Sequence, residues 1–461
     1  MRMQTLRKDR AFYGRILAIA IPIVIQNGIT NFVSLLDNIM VGQVGTVPMS
    51  GVSIANQVLL IFNLCVFGGS AGAGIFTAQF FGRGDDDGVR HTFRFKYMTC
   101  LLLSAVGIGV FLLWGRPILG LYLTGEGDPA EAAEILKQSM DYLHIMLWGF
   151  LPFALSNAYS STLRETGQTV VPMAAGVSAV LVNLLLNYLL IFGHLGLPAM
   201  GVRGAAVATV VSRYAELAIV AGWTHCNIGK APFIRGAYRS LSIPGQLLGT
   251  MARKSLPLLL NEFLWSSGVA ALSQSYSTCG LDVVPALNIS TTIQNLSNVA
   301  SLALASAIGI VMGQMLGAGK SREEVLTANR KLLGLSVVCG AVFGVLLLSI
   351  SELFPLLFNT TESVRSLAAS LIRVTGLLFP LMSYTLSTYF TLRSGGRVLV
   401  TFLFDSCFMW GVSVPLAFCL SRFTGLGMVA LYAICQGTDL IKAAIGTVLV
   451  RKGSWIRNLT E

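Results

Sequence analysis

Along this chain the apolar residues neither alternate nor form narrow stripes. They run in blocks. Twelve blocks can be marked, at roughly 14–41, 50–80, 96–123, 138–161, 169–192, 203–224, 255–278, 285–316, 332–357, 366–391, 398–420 and 427–450. Each is long enough for a membrane-crossing α-helix, which needs roughly 20 mostly apolar residues. The pattern predicts an all-α polytopic membrane protein with twelve transmembrane helices. It speaks against an outer-membrane barrel, whose strands alternate with a period of two. The first block follows Arg2, Arg7, Lys8, Arg10 and Arg15, as a signal peptide would. It runs too long, however, and carries Pro22, Gln26 and Asn27 where a signal peptide would be finishing, so it reads as a retained helix.

Composition narrows the class. Apolar residues make up 54% of the chain and charged residues 11%, against the roughly 25% charged of a soluble protein. A large soluble enzyme, a disordered chain and a disulfide scaffold are all excluded. The eight cysteines lack zinc-type spacing, and most lie in apolar stretches as small hydrophobes. The net charge of +11 does not point to nucleic acid, because the basic residues occupy short loops with no basic block interleaved with aromatics. With the N-terminus inside, most of the 32 Lys and Arg fall in the N-terminal tail, the 81–96, 225–254, 317–331 and 392–397 segments and the C-terminal tail. The 124–134 loop on the opposite side carries Glu126, Asp128, Glu131 and Glu134. The positive-inside rule then places both termini in the cytoplasm.

The two halves resemble each other. Ile21-Pro22 returns as Leu256-Pro257, and Gly74, Gln79, Gly82 and Gly84 return at the same offset as Gly309, Gln314, Gly317 and Gly319. Pro152 and Arg164-x-x-Gly167 are echoed by Pro380 and Arg393-x-x-Gly396. Matches in one order at nearly one offset mean duplication. Six spans is an even number, so both copies start on the same side and are related by an axis along the membrane normal. The expected organisation is an N-terminal lobe over 1–224, a cytoplasmic linker over 225–254 and a C-terminal lobe with a short tail over 255–461. Two such lobes suit an alternating-access transporter better than a channel.

Four motifs carry a resemblance. They are Asp37-Asn-Ile-Met-Val-Gly42, Asn183-x-x-x-Asn187, Gly201-Val-Arg-Gly-Ala-Ala-Val-Ala-Thr209 and Pro257-x-x-x-Asn-Glu262. In this order, on a duplicated twelve-span frame, they resemble the multidrug and toxic compound extrusion (MATE) family over nearly the whole chain. The resemblance implies two V-arranged lobes and export of organic cations or drugs driven by Na⁺ or H⁺. One branch of that family has an Asp where this chain has Asn187. A second C-lobe carboxylate, which NorM-type members carry on the tenth helix, is absent from 366–391.

Charged groups at membrane depth are costly and usually functional. Glu262 lies about 12 Å beyond Lys254 along a helix, with Trp265 beside it and Ser266 on its face. It is the first candidate for a coupling ion or proton. Asp37 is the second. Asn183 and Asn187 stack at i,i+4, and Asn157 on the fourth span can join them, so one carboxylate and three amides offer a cage for a monovalent cation. Gln26, Asn27, Thr30, Asn31 and Ser34 make the first helix too polar on one side for lipid. Ser53, Asn56 and Gln57 on the second span, and Asn288, Thr291, Thr292 and Asn295 on the eighth, read as repeat-related walls of a substrate cleft. Asp405 is a further possible site residue. Arg213 with Glu216, and Asp439 with Lys442, read as self-neutralising i,i+3 pairs.

Gly68 to Gly74 is glycine-rich but lacks the Lys-Ser/Thr of a P-loop, and no nucleophile–base or metal spacing appears. The expectation is a secondary antiporter rather than an enzyme, with no cofactor beyond Na⁺ or H⁺ as coupling ion. It would act as a monomer in a bacterial inner membrane. The alternatives are a channel-like or scaffold membrane protein and, before it, a lipid-linked saccharide flippase of the same superfamily. The flippase would want Arg or Lys inside its cleft, and the first, second, seventh and eighth helices have none at depth.

Overall fold

The structure is a computed structural model that describes residues 2–123, 129–196 and 198–460, with the side chains of 2–10, 35 and 38 set aside. Glu126 and Asp128 of the acidic loop lie outside the described residues. Every regular element among the described residues is helical. In chain order these are α1 (Arg2–Gly42), α2 (Thr46–Arg83), α3 (Asp86–Gly120), α4 (Pro129–Met146), α5 (Phe150–Glu165), α6 (Val170–Phe192) and α7 (Val202–Cys226). There follow α8 (Gly245–Ser277), α9 (Val283–Gly317), α10 (Arg322–Ile350), α11 (Glu362–Ser394), α12 (Val398–Phe402), α13 (Val414–Phe423), α14 (Met428–Gly437) and α15 (Asp439–Lys452).

Among the described residues, ten helices or helical runs are long and apolar enough to cross a membrane. Two of the twelve expected spans do not stand out in this way, for different reasons. The span expected at 138–161 is broken between α4 and α5 by a 3₁₀ turn at Leu147–Gly149. That expected at 255–278 forms one helix, α8, but Asn261, Glu262 and its serines dilute its hydropathy. Between α12 and α13 the chain stays helical through two π-helical stretches, Leu403–Cys407 and Met409–Ser413.

Local chemistry sets many helix ends. The Asp85 side chain caps α3 by accepting from the Gly88 N–H at 2.8 Å, and Asp86 and Asp87 occupy the first turn, where the helix dipole favours acids. Ser321 and Glu324 form a reciprocal capping box at α10. Gly193 ends α6 in the left-handed region, where a side chain would be strained.

The chain forms two compact units. One comprises Met1–Val24, Ala78–Gly84 and Leu260–Glu461, and the other Ile25–Thr77 and Asp85–Leu259. For brevity these are the C-unit and the N-unit. Sequence halves and compact units part company at the first 24 residues, at Ala78–Gly84 and at the start of α8. The cause in α1 is apolar packing. Ile16, Ile19, Ala20 and Ile23 are buried in one cluster with Ala303, Ile308, Leu332 and Trp455. Chain continuity within a helix therefore does not decide which unit a segment joins.

Within the C-unit, α10 and α11 approach closely at Gly344 and Gly376, whose missing side chains leave each backbone facing the other's carbonyl. The segment after α15 is packed down, with Trp455 fully buried. Gln79 donates to the carbonyls of Ser394 and Arg457, and its own carbonyl accepts from the Leu459 N–H at 2.7 Å. The N-unit is built on Phe62, Phe111, Phe150 and their apolar neighbours. The 227–244 segment is docked on it. Arg94 donates to the carbonyls of Gly236, Ala237 and Ser242, and Phe233 is buried. Lys96, counted above among loop charges, instead lies inside α3, fully buried and paired with Glu165.

Candidate functional site

Each unit carries a polar cluster of candidate site residues inside its helices. In the N-unit, Asn183 and Asn187 lie one turn apart on α6, opposite Asp37 of α1. Asn187 Nδ2 donates to Asp37 Oδ1 at 2.6 Å. The amide of Asn183 stands between Asp37 and Thr209 of α7. One of its terminal atoms is 3.0 Å from both Asp37 oxygens, and the other is 3.2 Å from Thr209 Oγ1.

Which end is nitrogen decides the chemistry. The single proton of Thr209 goes to the Ala205 carbonyl at 3.0 Å, so toward Asn183 the hydroxyl can only accept. That favours the NH₂ toward Thr209 and the amide oxygen toward Asp37, where it accepts from Asn187 Nδ2 at 3.2 Å. An ionised Asp37 then meets that oxygen acceptor to acceptor. Turning the amide over relieves this contact but sets its nitrogen against Asn187 Nδ2 at 3.2 Å, donor to donor. Turned over, the amide donates to both Asp37 oxygens at 3.0 Å, and its oxygen accepts from Thr209 Oγ1 at 3.2 Å once that hydroxyl turns from the Ala205 carbonyl. Asn187 Oδ1 is also buried with no donor among the described residues. A monovalent cation shared with the Asp37 carboxylate would give Asn187 Oδ1 a partner.

A cavity of about 300 Å³ opens beside this cluster. Ser34, Asp37, Asn56, Tyr142, Asn187 and Arg213 supply polar wall, and Phe62, Phe150 and Phe153 the aromatic wall. Phe62 and Phe150 are stacked at 3.8 Å. The mixture of apolar walls and a few polar groups is typical of small-molecule sites.

Other expected residues lie elsewhere. Asn157 does not join the amides, because it donates to Ser70 Oγ at 3.3 Å. Gln26 packs against Gly176 of α6. Thr30 and Ser34 donate to carbonyls one turn back on their own helix. Asn27 is half-buried, whereas Asn31, Ser53 and Gln57 are exposed, as are Asn288, Thr291, Thr292 and Asn295 along one side of α9.

In the C-unit, the residue with partners is Asn261 rather than its neighbour Glu262. Asn261 donates to Asp405 Oδ2 at 3.0 Å, and its side-chain oxygen accepts from Ser406 at 2.7 Å. Both partners lie in the first π-helical stretch. Such stretches insert an extra residue per turn and recur at functional sites. Asp405 also faces Lys442, at 3.7 Å, and Lys442 reaches Asp439 at 3.8 Å. The pair expected within α15 is thus a triad. Glu262 is half-buried and makes no hydrogen bond among the described residues; its charge faces those of Arg393 and Asp405. Trp265 is exposed and Ser266 half-buried.

Sequence reasoning missed the roles of Thr209, Tyr142, Asn261 and Arg213. Thr209 and Asn261 did fall inside the quoted motifs, and that was the only signal available. Arg213 was read as half of a self-neutralising pair. It does lie 3.3 Å from Glu216, but it also lines the cavity.

A duplicated helical frame with a polar cluster inside each unit defines the protein as a polytopic membrane transporter. The MatE family model matches residues 22–189 and 257–419, one match per repeat, and the chain belongs to the MATE family. It is 24% identical over 442 residues to the probable multidrug resistance protein NorM of Thermotoga maritima, covering 95% of this chain and 92% of that protein. It is 25% identical over 417 residues to the multidrug resistance protein PmpM of Pseudomonas aeruginosa, covering 89% and 84%. Among solved structures, an outward-facing multidrug resistance MATE family transporter matches with a TM-score of 0.86 at 19% identity over 96% of each chain. A MATE structure in complex with MaD3S matches with a TM-score of 0.85 at 20% identity, again over 96% of each.

Proposed function

We propose that this protein is a secondary antiporter that exports organic cations or drugs in exchange for Na⁺ or H⁺. It would do so by alternating access of two lobes, as a monomer in a bacterial plasma membrane, with both termini and the 225–254 segment cytoplasmic. The observation that carries this reading is a carboxylate, Asp37, held by the amides of Asn183 and Asn187 beside a cavity, with the buried Asn187 Oδ1 lacking a donor among the described residues. A coupling site needs ligand affinities that differ between two states. Here the naked carboxylate favours one Asn183 orientation, and the protonated or cation-bound carboxylate favours the other. Small changes in the α1–α6 distance would therefore change the affinity for the ion. An organic ammonium in the cavity would compete for the same Asp37 charge. Glu262 in the C-unit supports a second, independent cation-responsive position, because a half-buried carboxylate without a hydrogen bond is available to a ligand.

Ethidium efflux from proteoliposomes under separately imposed Na⁺ and proton gradients tests the reading. Efflux should follow one gradient and be lost in Asp37→Asn. Gradient-independent equilibration of ethidium would show a facilitated pore instead.

A further inference from the structure

The N-unit cavity has two charged poles. Arg213 of α7 lines it together with Asp37. Only one of the five guanidinium N–H donors is committed among the described residues: Nη1 reaches Glu216 Oε2 at 3.3 Å. Cζ stands 4.9 Å from the centroid of the Phe153 ring, itself part of the cavity wall. A guanidinium laid on a ring keeps its in-plane N–H edge for other partners. Glu216 does not cancel this charge. It is the more buried of the two, with side-chain exposures of 12% against 35% for Arg213, and its charge also acts on Arg164. The carboxylates that face Arg213 are thus Glu216 on its own helix and Asp37 across the cavity. A cavity built for simple organic cations would gain nothing from an arginine on its wall, since like charge at close range lowers affinity.

We propose that Arg213 is the anion-recognising pole of this cavity, so that the site takes zwitterionic aromatic molecules. The cationic nitrogen would sit toward Asp37 and the carboxylate on the free edge of Arg213. The ring system would lie against Phe150 and Phe153. This rests on reading the cavity as the cargo site. Recognition of a carboxylate by a guanidinium fork is directional and strong, and an ammonium does not reproduce it. Arg213 would therefore set specificity, while Asp37 serves cations of both kinds.

A matched pair of dyes tests this on the purified full chain by fluorescence anisotropy: rhodamine 110, which has a free carboxylate, and rhodamine 123, its methyl ester. Arg213→Gln should weaken rhodamine 110 by about tenfold or more and leave rhodamine 123 bound as well as before or more tightly. Equal weakening of both dyes, or of neither, overturns the proposal. If the Gln variant does not purify as a monodisperse species, Arg213→Lys makes the same comparison. It should narrow the preference for rhodamine 110 by severalfold, and an unchanged preference overturns the proposal. Asp37→Asn separates the two levels of the argument, because it should weaken both dyes. If it weakens neither, the cavity is not the cargo site, and that failure is distinct from a lack of discrimination at Arg213.

Discussion

Gly82 on α2 lies against the main-chain carbonyl of Gln314 on α9, and Gly317 on α9 lies in the same way against that of Gln79 on α2. A Cβ built at either glycine would stand 2.0 Å and 1.8 Å from those oxygens. The four residues are the repeat-related pairs found in the sequence, so the duplicated segment crosses its own copy in a reciprocal contact. Each copy supplies the missing side chain that lets the other's backbone approach. The side chains then diverge. Gln314 accepts from Arg15 at 2.6 Å, whereas Gln79 holds the C-terminal segment.

Gly82→Ala and Gly317→Ala should each lower stability by about 1–3 kcal/mol, because backbone carbonyls cannot retreat as a side chain would. Gly28→Ala is the control. No atom outside its own helix lies within 4 Å of its would-be Cβ, and alanine favours helix there. Thermal unfolding in detergent should separate the first two variants from the third.

Lys442 faces both Asp405 and Asp439 and is only 8% exposed. Lys442→Met leaves two acids facing each other and should destabilise the chain by roughly 3–5 kcal/mol. Asp405→Asn keeps one ion pair and should cost far less. Adding Asp405→Asn to Lys442→Met should recover part of the loss. Melting curves of the three variants check this ordering, and additive losses would deny the coupling.

Glu262 and Asn261 should separate function from folding. Glu262→Gln breaks no hydrogen bond of the described structure, so its melting temperature should match the unaltered protein while ion-driven efflux falls by about tenfold or more. Asn261→Leu should behave in the opposite sense. It removes the amide that Asp405 and Ser406 share, while Asp405 keeps Lys442 and Ser406 keeps the Asn261 main-chain carbonyl, and it should cost about 1 kcal/mol of stability. Full efflux in Glu262→Gln would remove that residue from the coupling machinery.

Orientation can be read by thiol labelling of intact cells. Glu131 and Ser240 are both exposed, and cysteines at the two positions should differ in their response to an impermeant reagent. Glu131→Cys should label and Ser240→Cys should not, above the signal of the native exposed Cys226, Cys407 and Cys419. The reverse pattern would invert the proposed topology.

The helical class and the duplication were legible because both are written in local patterns. Long apolar runs need no partner to be recognised, and a duplication shows at a nearly constant offset. The meeting of Asp37 with Asn183 and Asn187 was also within reach, since i,i+4 spacing puts two amides on one face. What escaped depends on contacts between helices far apart in the chain. Asn157 has the right chemistry for the amide cluster, but α5 packs so that it finds Ser70. The hydroxyl of Thr209 matters because Ala205 takes its only proton. Asp405 gains its partners through π-helical turns that shift the register of α12 into α13, and no periodicity marks such an insertion in advance. Arg213 shows the limit most plainly. A pair at i,i+3 looks complete in the sequence, and only the cavity reveals the donors left over.

The first half of α1 belongs to the C-unit, and this has a consequence for how the protein is made. Ile16, Ile19 and Ile23 leave the ribosome long before the residues that bury them, which include Ala303, Leu332 and Trp455. At translation rates of roughly 5–20 residues per second, the opening helix waits on the order of half a minute or longer for its neighbours. Over that interval its apolar face rests in lipid or on temporary partners. Most of the N-unit can pack as it is produced, but the C-unit cluster closes only once Trp455 has been made. Its assembly must therefore recapture a segment made some 280 residues or more earlier, about the separation of Ile23 from Ala303, and a variant with a weaker face at Ile16 and Ile19 would be expected to lose yield during biogenesis before it lost stability once assembled.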